Sequence, residues 1–494
     1  MIEIATQIVD IVARILFVFV FFGACIFIHE FGHLLAALWR GLHVEKFSIG
    51  FGKPIVSWRT HGIDFQLGWL PFGGFVALPQ LDPSNEPTTS DGMPLSPVNP
   101  IDRIITAFAG PLFNILFGFF LAIFIWKFGV EGPAPKSSFA VGHVPKEYNA
   151  ADGEMRPTPE WEAGLRPGDR ILAVNGEAFT KSWYEAFELI VYSPRGDVTL
   201  DVIRNGRHQT IRYKLVPNPK REGLGFPFFS AYEPTIVTKV IAGSPAMRAG
   251  LMAGDILLDI DGARIINTNH FMESVEAAGA EPIAVKVWRS GDVHLISGLR
   301  PVRTTFNGES RYMIGIQFKA ARPEFILLFP TPWKQFTDVM TRTYKTLRGL
   351  FDRKNPIQAR HMSGPLGIFR LLYKMFSVDF MTGLSFVILV SFSLALINLF
   401  PLPVLDGGHI TSGIVESIIR RRIPARFAVS LQYTFAVVLI AFMLYVTYYD
   451  VLREWTQIRT SQQLKSETGR TPTVRENELE SLFTKPEEWG STPK

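Results

Sequence analysis

Residues 26–38 read Ile-Phe-Ile-His-Glu-Phe-Gly-His-Leu-Leu-Ala-Ala-Leu, which places two histidines and a glutamate inside an apolar stretch. On a helix, His29 and His33 are one turn apart and face the same way. Two imidazoles so placed can hold one Zn²⁺, with Glu30 beside the water that such a metal activates. Ionisable groups are costly inside a membrane, so here they indicate a functional site. The competing interpretation is that they lie at the membrane interface and are simply hydrated.

Composition favours a membrane protein. Of the 494 residues, 47% are apolar and 41 are Phe, and the mean hydropathy is +0.17. The formal net charge is only +5, with no long basic block, so nucleic-acid binding is not expected. Since a span takes about 20 residues, four stretches are long and apolar enough to cross a lipid bilayer: Ile11–Leu38, Ile104–Trp126, Phe380–Phe400 and Phe427–Tyr449.

Arginines between the third and fourth stretches predict the orientation of the chain. Arg420, Arg421, Arg422 and Arg426 lie there, and loops rich in Lys and Arg face the cytoplasm. Alternation then places the loop after the first stretch in the cytoplasm as well. The large middle region and both termini are expected on the outer side.

The middle region contains an internal repeat. Gly164–Gly176 reads Gly-Leu-Arg-Pro-Gly-Asp-Arg-Ile-Leu-Ala-Val-Asn-Gly, and Gly250–Gly262, 86 residues later, reads Gly-Leu-Met-Ala-Gly-Asp-Ile-Leu-Leu-Asp-Ile-Asp-Gly. Arg204 and Arg289 keep the same offset to within one residue. Each copy combines a turn, an alternating strand and an Asn-Gly or Asp-Gly turn. A period of this length predicts two small domains rather than a solenoid.

A catalytic zinc usually has three protein ligands, so another span must supply the third. Residues 398–409 read Asn-Leu-Phe-Pro-Leu-Pro-Val-Leu-Asp-Gly-Gly-His. Asp406 lies in an apolar context at the end predicted to be cytoplasmic, the side towards which the two histidines lie. The prolines should end the helix, and Gly407 and Gly408 should permit a sharp turn. A water-exposed helix cap is the alternative for Asp406, and His409 is either a fourth ligand or a neighbour of the site.

Together these patterns resemble the two signatures of the site-2 protease family of intramembrane zinc metalloproteases, in its bacterial RseP-type branch with tandem PDZ domains. The resemblance extends over roughly residues 8–450. Besides the duplicated pattern of the middle region, it rests on Gly50-Phe-Gly-Lys-Pro54, Pro71-Phe-Gly-Gly-Phe-Val76, Ala109-Gly-Pro-Leu-Phe-Asn114 and Ser363-Gly-Pro-Leu-Gly367.

The resemblance implies a role for each matching position. His29, His33 and Asp406 would bind zinc, and Glu30 would be the general base. Asn398 would bind the substrate backbone near the scissile bond. For Asn398 the competing explanation is a polar side chain satisfied by a neighbouring helix.

The resemblance also implies substrates and a way of binding them. Residues 51–78 would form a membrane-associated sheet whose edge pairs with an unwound substrate segment. Substrates would be single-span membrane proteins already trimmed by another protease, such as anti-sigma-factor-like regulators or remnant signal peptides, with the PDZ domains gating access. The rival interpretations are a non-catalytic membrane PDZ adaptor and a metal transporter.

The fold predicted is a polytopic α-helical membrane protein of the bacterial cytoplasmic (inner) membrane. It has four transmembrane helices, two inserted α/β PDZ-like domains and a membrane-associated β segment. The predicted regions are an N-terminal membrane half (1–132), two PDZ-like domains (133–225 and 226–322), an amphipathic helical connector (323–379), a C-terminal membrane half (380–450) and a polar tail (451–494).

Overall fold

A computed structural model of the chain describes residues 2–81, 88–89, 92–135, 137–179, 183–219, 223–232, 234–265, 267–306, 309–320, 325–352 and 358–468. The chain divides into two compact units. The first, here called the helical unit, comprises 1–132, 326–348 and 359–451. The second, the sheet unit, comprises 133–325, 349–358 and 452–494. The part of the predicted polar tail from 469 onwards lies outside the described residues.

The helices and strands are numbered along the chain. The helices are α1 Ile2–Trp39, α2 Pro100–Phe128, α3 Pro159–Glu162, α4 Trp183–Val191, α5 Pro245–Ala249, α6 Thr268–Ala278, α7 Pro332–Phe351, α8 Pro365–Val378, α9 Phe380–Asn398, α10 Asp406–Ile419 and α11 Ala425–Thr468. The strands are β1 Lys46–Thr60, β2 Ile63–Ala77, β3 Val130–Pro133, β4 Phe139–His143, β5 Glu147–Asn149, β6 Met155–Pro157, β7 Arg170–Val174, β8 Glu177–Ala178, β9 Asp197–Arg204, β10 Arg207–Lys214, β11 Ser230–Ala231, β12 Thr235–Val240, β13 Ile256–Ile260, β14 Ala263–Arg264, β15 Ile283–Arg289, β16 Asp292–Leu299, β17 Val302–Phe306, β18 Glu309–Met313, β19 Ile316–Ala320 and β20 Phe325–Leu328.

Four of the described helices, α1, α2, α9 and α11, are long and apolar enough to cross a membrane, and each covers all or nearly all of one predicted span. Helix α9 ends at Asn398, slightly before the predicted Phe400, because Pro401 and Pro403 follow and have no N–H to continue it. Helix α11 continues well past the predicted Tyr449. Hydropathy detects the apolar part of a helix only, and the polar residues that follow contain no Gly or Pro before Thr468.

The segment between the third and fourth spans is helical, since α10 occupies most of it. The prediction of a sharp turn at Gly407 and Gly408 was wrong, because both residues lie in the first turn of α10 and neither has a left-handed backbone. Glycine is needed for space instead. A Cβ on Gly407 would lie 2.0 Å from the carbonyl oxygen of Phe400, and one on Gly408 would lie 2.4 Å from that of Leu402.

Helices α1, α2, α8 and α9 share a buried apolar cluster that includes Val18, Leu121, Leu384 and Phe392. Close packing in this cluster depends on small residues, as is common for helices in membranes. A Cβ on Gly118 of α2 would lie 2.4 Å from the ring of Phe392 on α9. The absence of a side chain at this position therefore lets the two helices meet.

Strands β1 and β2 form a curled antiparallel sheet. Residues 46–49 of β1 pair on one side with 64–67 and on the other with 74–77, both in β2. Among the described pairings, 74–77 has a strand partner on one side only, so this segment is an open edge. The sheet predicted for residues 51–78 therefore exists and begins at Lys46.

The sheet unit contains two six-stranded sheets with the same topology. In the first, the strand order is β10-β9-β7-β4-β11, with β8 paired to β7; in the second it is β16-β15-β13-β12-β19, with β14 paired to β13. Each sheet has its own buried core. The internal repeat read from the sequence therefore corresponds to two copies of one fold.

The predicted boundary between residues 225 and 226 needs correction. Strand β11, Ser230–Ala231, pairs with β4 and so belongs to the first copy. This strand has only two residues, too few for an alternating pattern to reveal it in the sequence.

An identical ion pair stabilises each copy. Asp169 receives two hydrogen bonds of 2.6 Å from Arg204, and Asp255 receives bonds of 2.6 and 2.7 Å from Arg289. Both carboxylates are almost completely buried. Such bidentate pairs have stringent geometry, which accounts for the recurrence of the Gly-Asp step and the distant Arg in both copies.

Candidate metal centre

Two histidines of α1 and the first residue of α10 meet in the helical unit. His29 Nε2 lies 3.2 Å from Asp406 Oδ2, and His33 Nε2 lies 3.3 Å from Asp406 Oδ1. The two Nε2 atoms are 3.2 Å apart. Both imidazoles are buried, and Asp406 follows them by more than 370 positions in the sequence.

These three side chains fit a zinc ion. A tetrahedral zinc with ligands about 2.1 Å away holds its ligand atoms about 3.4 Å apart, close to the separations observed. Asp406 Oδ2 is moreover buried without a hydrogen-bond partner among the described residues. A buried carboxylate oxygen in this position is costly unless a cation binds it. The residues that were predicted as metal ligands are therefore together, with their ligand atoms facing one point.

Neighbouring groups on α2 orient both imidazoles. His33 Nδ1 lies 2.8 Å from the carbonyl oxygen of Thr106, so Nδ1–H donates and Nε2 is left for a metal. Asn114 Nδ2 lies 3.2 Å from His29 Nδ1. Asn114 Oδ1 is buried without a partner among the described residues, and a 180° turn of the amide would bring this oxygen to His29, where it would accept Nδ1–H.

Two glycines, Gly110 of α2 and Gly32 of α1, let α2 approach the histidines this closely. A Cβ on Gly110 would lie 2.3 Å from His33 Nε2 and 2.9 Å from His29 Cε1. On the facing helix, a Cβ on Gly32 would lie 2.6 Å from the carbonyl oxygen of Ala109. Any larger residue at Gly110 would therefore take the space in which the ligand atoms meet.

The ligand atoms open into a cavity of about 580 Å³. Glu30 lines it and is partly buried beside the ligands. Residues 73–78, which include the open edge of β2, line another side, and a Cβ on Gly74 would lie 2.9 Å from Cγ of Glu30. The site therefore has a carboxylate next to the metal position and an unpaired strand edge within reach.

The last residue of α9 also reaches the metal position. Asn398 Nδ2 lies 3.3 Å from His29 Nε2, and the side chain lines the same cavity. His409 and Gln432, from α10 and α11, line it too. The ligand atoms of the candidate cluster are those of His29, His33 and Asp406, so His409 is placed as a neighbour of the site.

An ion pair fixes the helix that carries Asp406. Arg103 of α2 lies 3.0 Å from Glu416 of α10, and both side chains are largely buried. The same carboxylate accepts a 3.0 Å hydrogen bond from the backbone N–H of Ile423. Helix α2 therefore orients the histidines at one point and anchors α10 at another.

Sequence reasoning missed Thr106, Gly110 and Asn114 as parts of the site. Gly110 and Asn114 belong to the segment Ala109–Asn114 that carries the resemblance, but no role was assigned to them. A buried polar Asn in an apolar span was the available signal. Thr106 acts through its backbone carbonyl, for which the sequence has no signal.

Comparison with known proteins gives one family. The model of peptidase family M50 matches residues 17–442. A Vibrio cholerae protein with the provisional name zinc metalloprotease is 28% identical over 427 residues, which cover 82% of this chain and 90% of that protein. The regulator of sigma E protease of Salmonella typhi is 29% identical over 427 residues, covering 80% of this chain and 89% of that protein.

Solved structures also align with part of the chain, and one of them is a PDZ domain. A PDZ domain of the SdrC-like protein from Listeria innocua covers 18% of this chain and 99% of its own, with 22% sequence identity and a TM-score of 0.16. A likeness this low carries no argument about the fold.

We predict that Asn114→Leu weakens zinc binding about 10–100-fold, the usual effect of removing a group that orients a ligating histidine. Leucine keeps the approximate volume of the side chain but has no acceptor for Nδ1–H of His29. Affinity is measured by competition with a zinc chelator. Leu116→Ala, at an exposed position on the same helix, is the control, and equal affinities in both variants would contradict the assignment.

Proposed function

The chain belongs to peptidase family M50, the site-2 protease family of zinc metalloproteases, and on that premise we propose that it cuts membrane-spanning segments of other proteins inside the bilayer. One observation carries the proposal. His29 and His33 lie in α1, which is apolar enough to cross a membrane, and Asp406 at the start of α10 meets them at separations that suit zinc. A soluble substrate would not require its catalytic site at that depth.

His29, His33 and Asp406 would hold the zinc ion. When bound, zinc supplies Lewis acidity towards a water molecule and a substrate carbonyl. Glu30 lies beside them in the cavity and is not one of the three residues of the candidate metal cluster. We assign it as the general base that accepts a proton from the attacking water and passes it to the leaving amine.

Asn398 is proposed to bind the substrate near the scissile bond. Its Nδ2 lies next to His29 Nε2 and faces the cavity. An amide N–H in this position can donate to the carbonyl oxygen as negative charge develops on it. This role uses the same atom that otherwise only contacts the imidazole.

A peptide bond in a helix is protected by its own hydrogen bond, so the substrate must be unwound before it is cut. The open edge at residues 74–77 offers unpaired backbone groups beside Glu30. We propose that an extended substrate segment adds to this edge as a strand. Strand pairing would then replace the helical hydrogen bonds that the substrate loses.

The location follows from charge. Arg420, Arg421, Arg422 and Arg426 favour a cytoplasmic position for the loop between the last two spans. In a bacterial cytoplasmic membrane, the two repeats and both termini would lie outside. The Salmonella relative is named as a regulator of sigma E protease. By analogy, single-span anti-sigma-factor-like regulators and remnant signal peptides are proposed as substrates.

The two repeats are proposed to gate access so that substrates trimmed by another protease are admitted. The second copy has a cavity of about 920 Å³ lined by Phe271 and Val275 of α6 and by Ile316 and Phe318 of β19. Strand β19 is the outer strand of its sheet. A groove next to such a strand suits an extended peptide end.

Two rival interpretations have less support. An adaptor without catalytic activity would be expected to lack a ligand or the base, yet His29, His33, Asp406 and Glu30 are all present. A transporter would more naturally show repeated transmembrane halves.

We predict that Glu30→Gln lowers the rate of cutting about 10²–10⁴-fold, the usual contribution of a general base. Zinc content should not change, because Glu30 is not one of the ligands. The measurement is cleavage of a pre-trimmed single-span substrate in detergent. Native protein that is chelated and then given zinc again serves as the control.

Two outcomes of this experiment would contradict the proposal. Cutting by a zinc-loaded Glu30→Gln variant would remove Glu30 as the base. Failure of the zinc-loaded native chain to cut the trimmed substrate would favour the adaptor.

For Asn398→Ala, we expect kcat to fall about 10²–10³-fold, as when one oxyanion donor is removed. Zinc affinity and thermal stability should change little. If Asn398 only satisfies a neighbouring helix, stability will fall and kcat will be retained. Measuring kcat and the melting temperature of the same sample separates the two roles.

Deletion of residues 137–305 tests the gating role. We expect the shortened chain to cut substrates that have not been trimmed, because the part that excludes them is gone. Both chains are given trimmed and untrimmed forms of one substrate. A shortened chain that remains selective for the trimmed form would disprove gating.

A further inference from the structure

The N-terminus of α8 receives a carboxylate from another helix. Asp450 of α11 accepts hydrogen bonds at Oδ2 from the backbone N–H of Gly364, at 2.8 Å, and of Gly367, at 2.9 Å. The first N–H groups of a helix have no partner within the helix, and this end carries partial positive charge. Asp450, which is only 7% exposed, therefore caps α8 although it belongs to a different helix, α11.

Both glycines are explained by this contact. A Cβ on Gly367 would lie 2.6 Å from Oδ1 of Asp450, and one on Gly364 would lie 3.0 Å from Oδ2. Neither glycine has a left-handed backbone, so conformational freedom is not what requires them. The segment Ser363–Gly367 carries the family resemblance but was given no role in the sequence analysis. Its backbone N–H groups bind this carboxylate.

Burial of the described side chains of α11 is concentrated at this contact. Within residues 425–456, where side chains of α11 are described, Val446 and Asp450 are the buried ones, and they are one turn apart. Helix α8 is embedded instead. Its Leu372 and Phe376 are 1% and 6% exposed and pack in the cluster shared with α1 and α9. Asp450 thus attaches an exposed helix to a fixed one.

The part of α11 before Val446, in which no described side chain is buried, reaches the cavity of the metal centre. Gln432 lines the cavity of the ligands and lies 18 residues before Asp450. At 1.5 Å per residue this is about 27 Å along the helix axis. A tilt of about 10° around Asp450 would move Gln432 by about 5 Å, given that helical rise. Small changes at the attachment point are therefore amplified at the cavity.

We propose that Asp450 is a positioning residue: by capping α8, it fixes the orientation of α11 and thereby the wall of the metal-site cavity that Gln432 forms. The proposal rests on the proposed function only in that this cavity is where the substrate is cut. Loss of the contact should loosen the wall and leave the zinc ligands in place. Substrate turnover should then fall, and zinc affinity should not.

Cysteine labelling tests the proposal without proteolysis. Cys25 is the only cysteine, so Cys25→Ala combined with Gln432→Cys gives a chain in which a maleimide reports on position 432 alone. Adding Asp450→Ala should raise the labelling rate about tenfold, because hydrogen bonds to a charged group contribute at least that factor to an opening equilibrium. Asp450→Asn keeps an acceptor oxygen and should label at a rate close to that of the background.

The glycine supplies an independent variant. Gly367→Ala should raise labelling as Asp450→Ala does, and the two together should add little, because both break one contact. Leu444→Ala, at an exposed position of α11, and Gly23→Ala, where an added Cβ meets nothing within 4 Å, are the controls. In the otherwise native chain, Asp450→Ala should lower kcat/KM with unchanged zinc affinity.

Unchanged labelling in Gly367→Ala, with Asp450→Ala either unchanged or unable to fold, would overturn the proposal. Labelling equally raised by the control variants would also overturn it. The labelling result is separate from the proposed function. A native chain that never cuts, yet labels as expected, would refute the protease assignment and leave the role of Asp450 in place.

Discussion

Polar groups placed among apolar helices must satisfy one another, and this constraint governs the helical unit. Two imidazoles and a carboxylate meet within 3.3 Å of one another, and each imidazole also has a partner on α2. None of these groups could be buried alone at acceptable cost. Formation of the site therefore requires α1, α2 and α10 together, and the packing of these helices follows from the needs of a few polar atoms.

Glycines also help to bring these polar groups together, because they leave space where any side chain would collide. Gly110 leaves room for imidazoles, Gly367 leaves room for a carboxylate, and Gly407 leaves room for a backbone carbonyl. In each case, an added Cβ would collide with a polar group rather than with an apolar one. These glycines thus serve to bring polar atoms within hydrogen-bonding or ligand distance, which differs from their usual role in turns.

Sequence reasoning succeeded where the signal is local. Hydropathy located the four helices that are long and apolar enough to cross a membrane, because a span takes about 20 consecutive residues, and a fixed offset revealed the repeat. The helical spacing of His29 and His33 placed them on one face, and the structure brings Asp406 to them; the roles of all three, with those of Glu30 and Asn398, stay predictions.

What the sequence could not provide depends on how separate helices cross. Asn114 and Asp450 are ordinary polar residues until a particular imidazole or helix end lies next to them. Strand β11 is defined by its partner β4 rather than by its own two residues. Helix α10 was not predicted, because it begins with Asp406, Gly407 and Gly408 and lies between two apolar stretches, where a loop was expected. No pattern along one segment records such pairings.

The separation of His29 from Asp406 in the sequence has a consequence for biosynthesis. With Asp406 the last contributor, a ribosome making roughly 5–20 residues per second needs about 20–75 s to proceed from one to the other. During that interval, the emerging chain holds an incomplete set of the proposed ligands. A polypeptide released before residue 406 would likewise lack one of the three proposed metal ligands. Order of synthesis alone thus delays completion of the candidate metal site.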